Sequence, residues 1–132
     1  MTDGEELWTF ERLEPGMDFG VVRIPLDAAR VKGWEAVYGP VAGAVAPDGL
    51  IVAGMMEAYI RAIQPRPDGN IHAAQRLAFT GAQAALGDEI AFTIRVAAKE
   101  LRKGRRWVTF SARAAVEGRD LMRGEIVSIW AA

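Results

Sequence analysis

The alternation of apolar and polar positions changes period twice along this chain, from strand to helix and back to strand. Leu7, Trp8, Phe10 and Leu13 cluster ahead of a Pro15-Gly16 turn, and residues 19–24 then read as a short strand. Asp27 is a good helix N-cap, followed at helical spacing by Val31, Trp34 and Val37 until Gly39-Pro40 stops the run. A second helix is expected over 48–63, ended by Pro65. Leu50, Ile51, Val52, Met55, Met56, Ala58, Tyr59, Ile60 and Ile63 leave it few polar positions, and a helix apolar nearly all round must be enclosed. At about 1.5 Å per residue it would span roughly 24 Å, enough to cross a small sheet.

After the turn Pro67-Asp68-Gly69-Asn70, everything reads as strand, beginning with residues 71–79. Ile90, Phe92, Ile94 and Val96 alternate with Ala91, Thr93, Arg95 and Ala97, a period of two. Lys103-Gly104-Arg105 reverses the chain into 107–116, where Phe110, Ala112, Ala114 and Val116 share a face. Glu117-Gly118-Arg119-Asp120 reverses it again into 121–130. Long strands joined by short hairpins form an antiparallel sheet. One apolar helix ahead of such a meander is covered only if the sheet curls around it, and the free edge invites a second copy. The expected fold is α+β, of the hot-dog type, with an antiparallel sheet wrapped around one central apolar helix. It occupies residues 1–132 as a single domain and associates at least as a dimer.

Composition narrows the function without naming it. The chain has 132 residues, 51% of them hydrophobic, and a net charge of -1. That is enough for a real core and gives no global pull toward nucleic acid or an anionic membrane. With no cysteine and a single histidine, His72, neither a thiolate nor an imidazole-rich metal site is expected. The acidic start, residues 1–6, lacks the basic-then-apolar pattern of a secretory signal. The apolar stretch 50–63 contains Glu57 and Arg61 and falls short of the roughly 20 residues a membrane span needs. A soluble, cytoplasmic protein is the expectation.

Several local patterns point further. Leu86-Gly87-Asp88-Glu89-Ile90, then Lys99-Glu100 before a basic turn and Trp107-Val108-Thr109-Phe110, and finally Leu121-Met122-Arg123-Gly124-Glu125 follow one another in scaffold order. From about residue 15 to 130 the chain resembles the MaoC-like hydratase family of hot-dog proteins. Active members of that family add water across the double bond of an enoyl-CoA. They use an aspartate in a loop after the first helix and a histidine just before the glycine that opens the central helix. Here Tyr38-Gly39-Pro40 puts proline at the first place, and Ala46-Pro47-Asp48-Gly49-Leu50 puts Asp48 at the second. The resemblance therefore implies an acyl-thioester-binding scaffold that lacks the usual acid/base pair. It is a degenerate hydratase homologue or the non-catalytic subunit of a two-chain enoyl-CoA hydratase. Two alternatives stay open: an acyl-CoA thioesterase using Asp48 or Glu57, and a structural or ligand-binding dimer without chemistry.

The candidate residues follow from these readings. Gly49 and Leu50 offer backbone N–H groups at the positive end of a helix dipole, where related folds polarise a thioester carbonyl. Met55, Met56 and Tyr59 would line the acyl chain. Asp48 either activates water or simply caps the helix. Glu57 is either a buried acid or base, or the partner of Arg61 in an i,i+4 ion pair. His72 opens the first long strand and is either a base facing a dimer cleft or a structural residue. Lys99, Arg102, Lys103, Arg105 and Arg106 crowd one hairpin, where Arg105 and Arg106 would grip the phosphates of coenzyme A unless the tip is merely solvated. The four tryptophans at 8, 34, 107 and 130 are scattered, as core and interface residues are. No cofactor is expected beyond a coenzyme A thioester as ligand or substrate. The expected partners are an acyl-CoA or similar thioester and a second hot-dog chain, whether a copy of itself or a catalytic hydratase subunit; neither nucleic acid nor membrane is among them.

Overall fold

The computed structural model describes residues 6–132, so residues 1–5 of the acidic start lie outside the described residues. The elements are β1 (Asp18–Pro25), α1 (Ala28–Tyr38), α2 (Asp48–Ala62), β2 (Ile71–Phe79), β3 (Glu89–Arg102), β4 (Arg105–Val116) and β5 (Arg119–Trp130). They form one five-stranded sheet in the order β1-β3-β4-β5-β2. Every neighbouring pair is antiparallel.

Local chemistry sets the hairpins. At the β3–β4 turn Lys103 and Gly104 both take positive φ, 51° and 74°, and at the β4–β5 turn Glu117 and Gly118 do the same at 49° and 77°. Two successive left-handed residues give the turn whose twist matches the strands on either side. The period of two then does its work: Ile90, Phe92, Ile94 and Val96 are all buried, and so are Val108, Phe110, Ala112 and Ala114 across from them.

The helix α2 lies on this apolar face. Two glycines let it come close: a Cβ at Gly54 would sit 3.0 Å from the Phe92 ring, and one at Gly124 of β5 would sit 3.0 Å from the Met55 sulfur. Leu13, fully buried, packs into the same core from the chain's first segment. That segment is tied down by Trp130 Nε1–H donating to the Trp8 carbonyl at 2.6 Å and by Phe10 N–H donating to the Ala132 carbonyl at 2.8 Å.

Tyr59 carries the polar contact inside the core. Its hydroxyl lies 2.9 Å from that of Ser128, which is the buried polar residue among the described core. Burial pushes the Tyr59 phenol above its ordinary value, against smaller opposite pulls from Ser128 and Arg66. A folded-state value above the unfolded one means that this group's share of stability is full below about pH 10 and is lost as pH rises past it. Tyr59→Phe is expected to cost about 1 kcal/mol at neutral pH. In denaturant titrations repeated at rising pH, wild-type stability should fall more steeply above about pH 10 than that of the variant.

Enclosure of α2 is incomplete, which corrects the expectation from its composition. The sheet covers the face carrying Leu50, Ile51, Gly54, Met55, Ala58 and Tyr59. On the other side Val52 and Met56 are only half-buried and Ile60 is 48% exposed. Five strands of one chain suffice for one side of the helix, and α1, which has no fully buried residue, meets the other from Gly49 to Glu57 but leaves Ile60 uncovered. The edge strand β2 is exposed along its length except at half-buried Leu77. Among the described residues no helix is long and apolar enough to cross a membrane.

Candidate functional site

The start of α2 is held in place by the segment before it. Val45 bridges to Ala85, Ala46 N–H donates to the Ala84 carbonyl at 2.8 Å, and Leu86 N–H donates to the Ala44 carbonyl at 2.8 Å. Pro47 is the N-cap, and Asp48 is the first helical residue. This corrects the capping role considered for Asp48: its carboxylate accepts no cap hydrogen bond and stands exposed in the first turn. Proline favours this boundary because its fixed backbone and missing N–H suit a helix start. Leu50 N–H is also committed, donating to the Pro47 carbonyl at 3.0 Å. Of the two backbone donors anticipated, only Gly49 N–H has no acceptor among the described residues.

A groove of about 600 Å³ opens beside Gly49, between α1 and α2. Arg30, Gly33, Trp34 and Tyr38 line it from α1, and Gly49, Leu50, Val52, Ala53 and Met56 from α2. The Trp34 indole rests on Gly49 so closely that a Cβ there would collide with it. Tyr38 lies against Trp34, with ring centroids 4.2 Å apart and a tilt of 33°. Asp27 caps α1, its side chain accepting from Arg30 N–H at 2.9 Å. The Arg30 guanidinium then reaches Glu57 of α2 with contacts of 3.1 and 3.2 Å.

Glu57 is therefore bracketed by two cations. Arg61 donates to it at 3.2 Å, the i,i+4 pair anticipated, and Arg30 adds a second partner from another helix. A carboxylate so occupied, with its side chain 39% exposed, is a latch between α1 and α2. Removing a proton from water would require it to give up one of these contacts.

The remaining candidates do not converge. Gly49, Leu50 and Met56 reach the groove, whereas Met55 and Tyr59 are buried against the sheet on the opposite side of α2. Here the two neighbours turn to different sides: Met56 lines the groove, and the Met55 sulfur packs at Gly124 of the sheet. His72 is exposed on β2, paired in register with Ser128 of β5. Arg105 and Arg106 part for the analogous reason, since successive strand residues face opposite sides. Arg105 joins Arg102 and Lys103 around Trp107, with the Arg102 guanidinium 4.6 Å from the indole centroid. Arg106 turns the other way and donates to the Ala131 carbonyl at 3.3 Å. The residues that sequence reasoning missed are Arg30, Trp34 and Tyr38. A signal existed: α1 is apolar at 31, 34 and 37 but too short to enter a core, so it had to lie on another element.

No family model matches the chain, and no curated protein is similar to it. Solved structures are similar in fold. A MaoC-like dehydratase from Rhodospirillum rubrum superposes with a TM-score of 0.73 at 21% identity, over 92% of this chain and 96% of that one. The fluoroacetyl-CoA thioesterase FlK gives 0.68 at 17% identity, over 89% of this chain and 87% of its own. A HadBC (3R-hydroxyacyl-ACP dehydratase) complex from Mycobacterium tuberculosis gives 0.67 at 13% identity, over 87% and 96%. At these identities the likeness shows the fold alone: the chain has the hot-dog fold.

Proposed function

We propose that this hot-dog chain is a MaoC-like acyl-thioester-binding domain without hydratase acid/base residues, acting as a homodimer or as the non-catalytic subunit of a two-chain enoyl-CoA hydratase. The groove beside Gly49 carries the reading. It is mainly apolar, it starts at a backbone N–H with no acceptor among the described residues, and its ionisable lining is Arg30, already paired, and Tyr38. Such a site suits an apolar acyl chain along Val52 and Met56 with a carbonyl at Gly49. Proteins of like fold act on fluoroacetyl-CoA and hydroxyacyl-ACP, which are acyl thioesters. Arg102, Lys103 and Arg105 make no ion pair among the described residues, but their turn closes the end of β3 away from Ala85 and the start of α2, so a phosphate contact there would have to serve a groove on another chain. The thioesterase alternative draws less support, because Glu57 is held by two arginines. Cytoplasmic placement belongs to the same proposal.

Asp48 offers the test. Its carboxylate stands at the positive end of the helix dipole and repels the negative end of a bound carbonyl. Asp48→Asn is expected to tighten acyl-CoA binding by about two- to fivefold, the usual worth of a charge at a helix end. Calorimetric titration with acyl-CoAs of several chain lengths, alongside a hydrolysis assay, measures both properties. If Asp48→Asn abolishes turnover, Asp48 activates water and the thioesterase reading wins; if Glu57→Gln does so, the same conclusion falls on Glu57. If neither variant changes affinity or turnover, the groove is not the site and a structural dimer is the better description.

A further inference from the structure

The groove's wall on the α1 side is one large side chain. Trp34 stands on Gly49 so tightly that only glycine fits beneath the indole. Tyr38 braces the ring from behind, and the Arg30–Glu57 contacts at 3.1 and 3.2 Å pin the helix that carries it. Helix α1 contributes no fully buried residue, and Trp34 packs half-buried at the rim of the core. Trp130 shows the contrast: it is 1% exposed, with its indole N–H bonded to the Trp8 carbonyl, and is part of the core. Trp34 instead shapes a surface cavity at the end nearest the Gly49 N–H.

We propose that Trp34 is the specificity-determining residue of the groove and restricts it to short acyl groups. This rests on the acyl-thioester reading above. A chain whose carbonyl meets Gly49 N–H is bounded by the indole that lies against Gly49 and runs along Val52 and Met56 of the same groove. Extra carbons then project into water and add no affinity.

Titration calorimetry of the full chain with saturated acyl-CoAs from acetyl to dodecanoyl tests this. Wild-type affinity should stop rising after the first few carbons. In Trp34→Ala it should keep rising by about fourfold per added methylene until the vacated space is full. Trp34→Phe should lie between. An identical length dependence in wild type and Trp34→Ala overturns the role of Trp34 and leaves the acyl-thioester reading standing. No binding of any acyl-CoA by either protein overturns that reading and the proposal with it. A ligand-free arm checks the contact itself: Gly49→Ala must displace the indole, so its near-ultraviolet circular dichroism should change in wild type but not in the Trp34→Ala background. An unchanged spectrum in wild type would sink the proposed wall directly.

Discussion

The purified protein should hydrate a short enoyl-CoA at least about 10⁴-fold more slowly than a competent hydratase of the same fold, because a general acid and a general base typically supply about 10²–10⁴-fold each. Pro40 cannot exchange a proton, and Asp48 stands exposed at the first turn of α2. Among the described residues lining the groove there is neither a carboxylate nor an imidazole, and Arg30 is bound to Glu57. Loss of enoyl-thioester absorbance in a continuous assay measures the rate. Robust hydration by the purified protein would mean that the acid and base sit elsewhere on this chain. Hydration that arises only when a second, catalytic hot-dog chain is added would support the two-chain form of the proposal.

A second, smaller but still large effect is expected at the sheet edge. Strand β2 is an exposed edge of the sheet, and part of the outer face of α2 is uncovered; a second copy pairing along β2 is expected to bury apolar surface of both. Ile60 is 48% exposed and Phe79 is 40% exposed in the single chain. Replacing them together as Ile60→Glu and Phe79→Lys leaves the monomer's core untouched but puts charges where the second chain must pack. Burying a charge without a proper partner costs about 3–5 kcal/mol, so dimer dissociation should strengthen by about 10²–10³-fold. Sedimentation equilibrium over a wide concentration range checks this, with circular dichroism to confirm the fold. A wild-type protein that stays monomeric at high concentration, or a variant that dimerises as well as wild type, would count against the interface.

Much of the scaffold was legible because its signals are local. Residues 71–79 match β2 end to end, and the paired left-handed residues at 103–104 and 117–118 are the turns that Lys103-Gly104 and Glu117-Gly118 announced. Asp27 and Gly39 bound α1 as their chemistry requires. Asp48 misled because acceptor side chains are the familiar cap signal, whereas Pro47 fixes the helix start through its backbone. The apolar circumference of α2 said that the helix must be covered, but not that one chain would cover only part of it. The groove was harder still, since the contact of Trp34 with Gly49 joins residues from two helices whose relative placement no periodicity records. Arg105 and Arg106 are a different case: the period of two that identified their strand already separates them.

The close seating of α2 at Gly54 and Gly124 has a practical consequence. The helix is locked on its sheet side, where Phe92 and Met55 leave no room for a side chain at either glycine. Its outer side meets α1, whose Val31 and Trp34 are half-buried at the rim of the core. A combinatorial library that varies positions 34, 38, 52 and 56 together with Gly54 and Gly124 should therefore accept more changes at the groove positions, which are half-buried or exposed, than at the two glycines. Such a pattern would let the groove be remodelled for other apolar ligands on the same sheet-side seating.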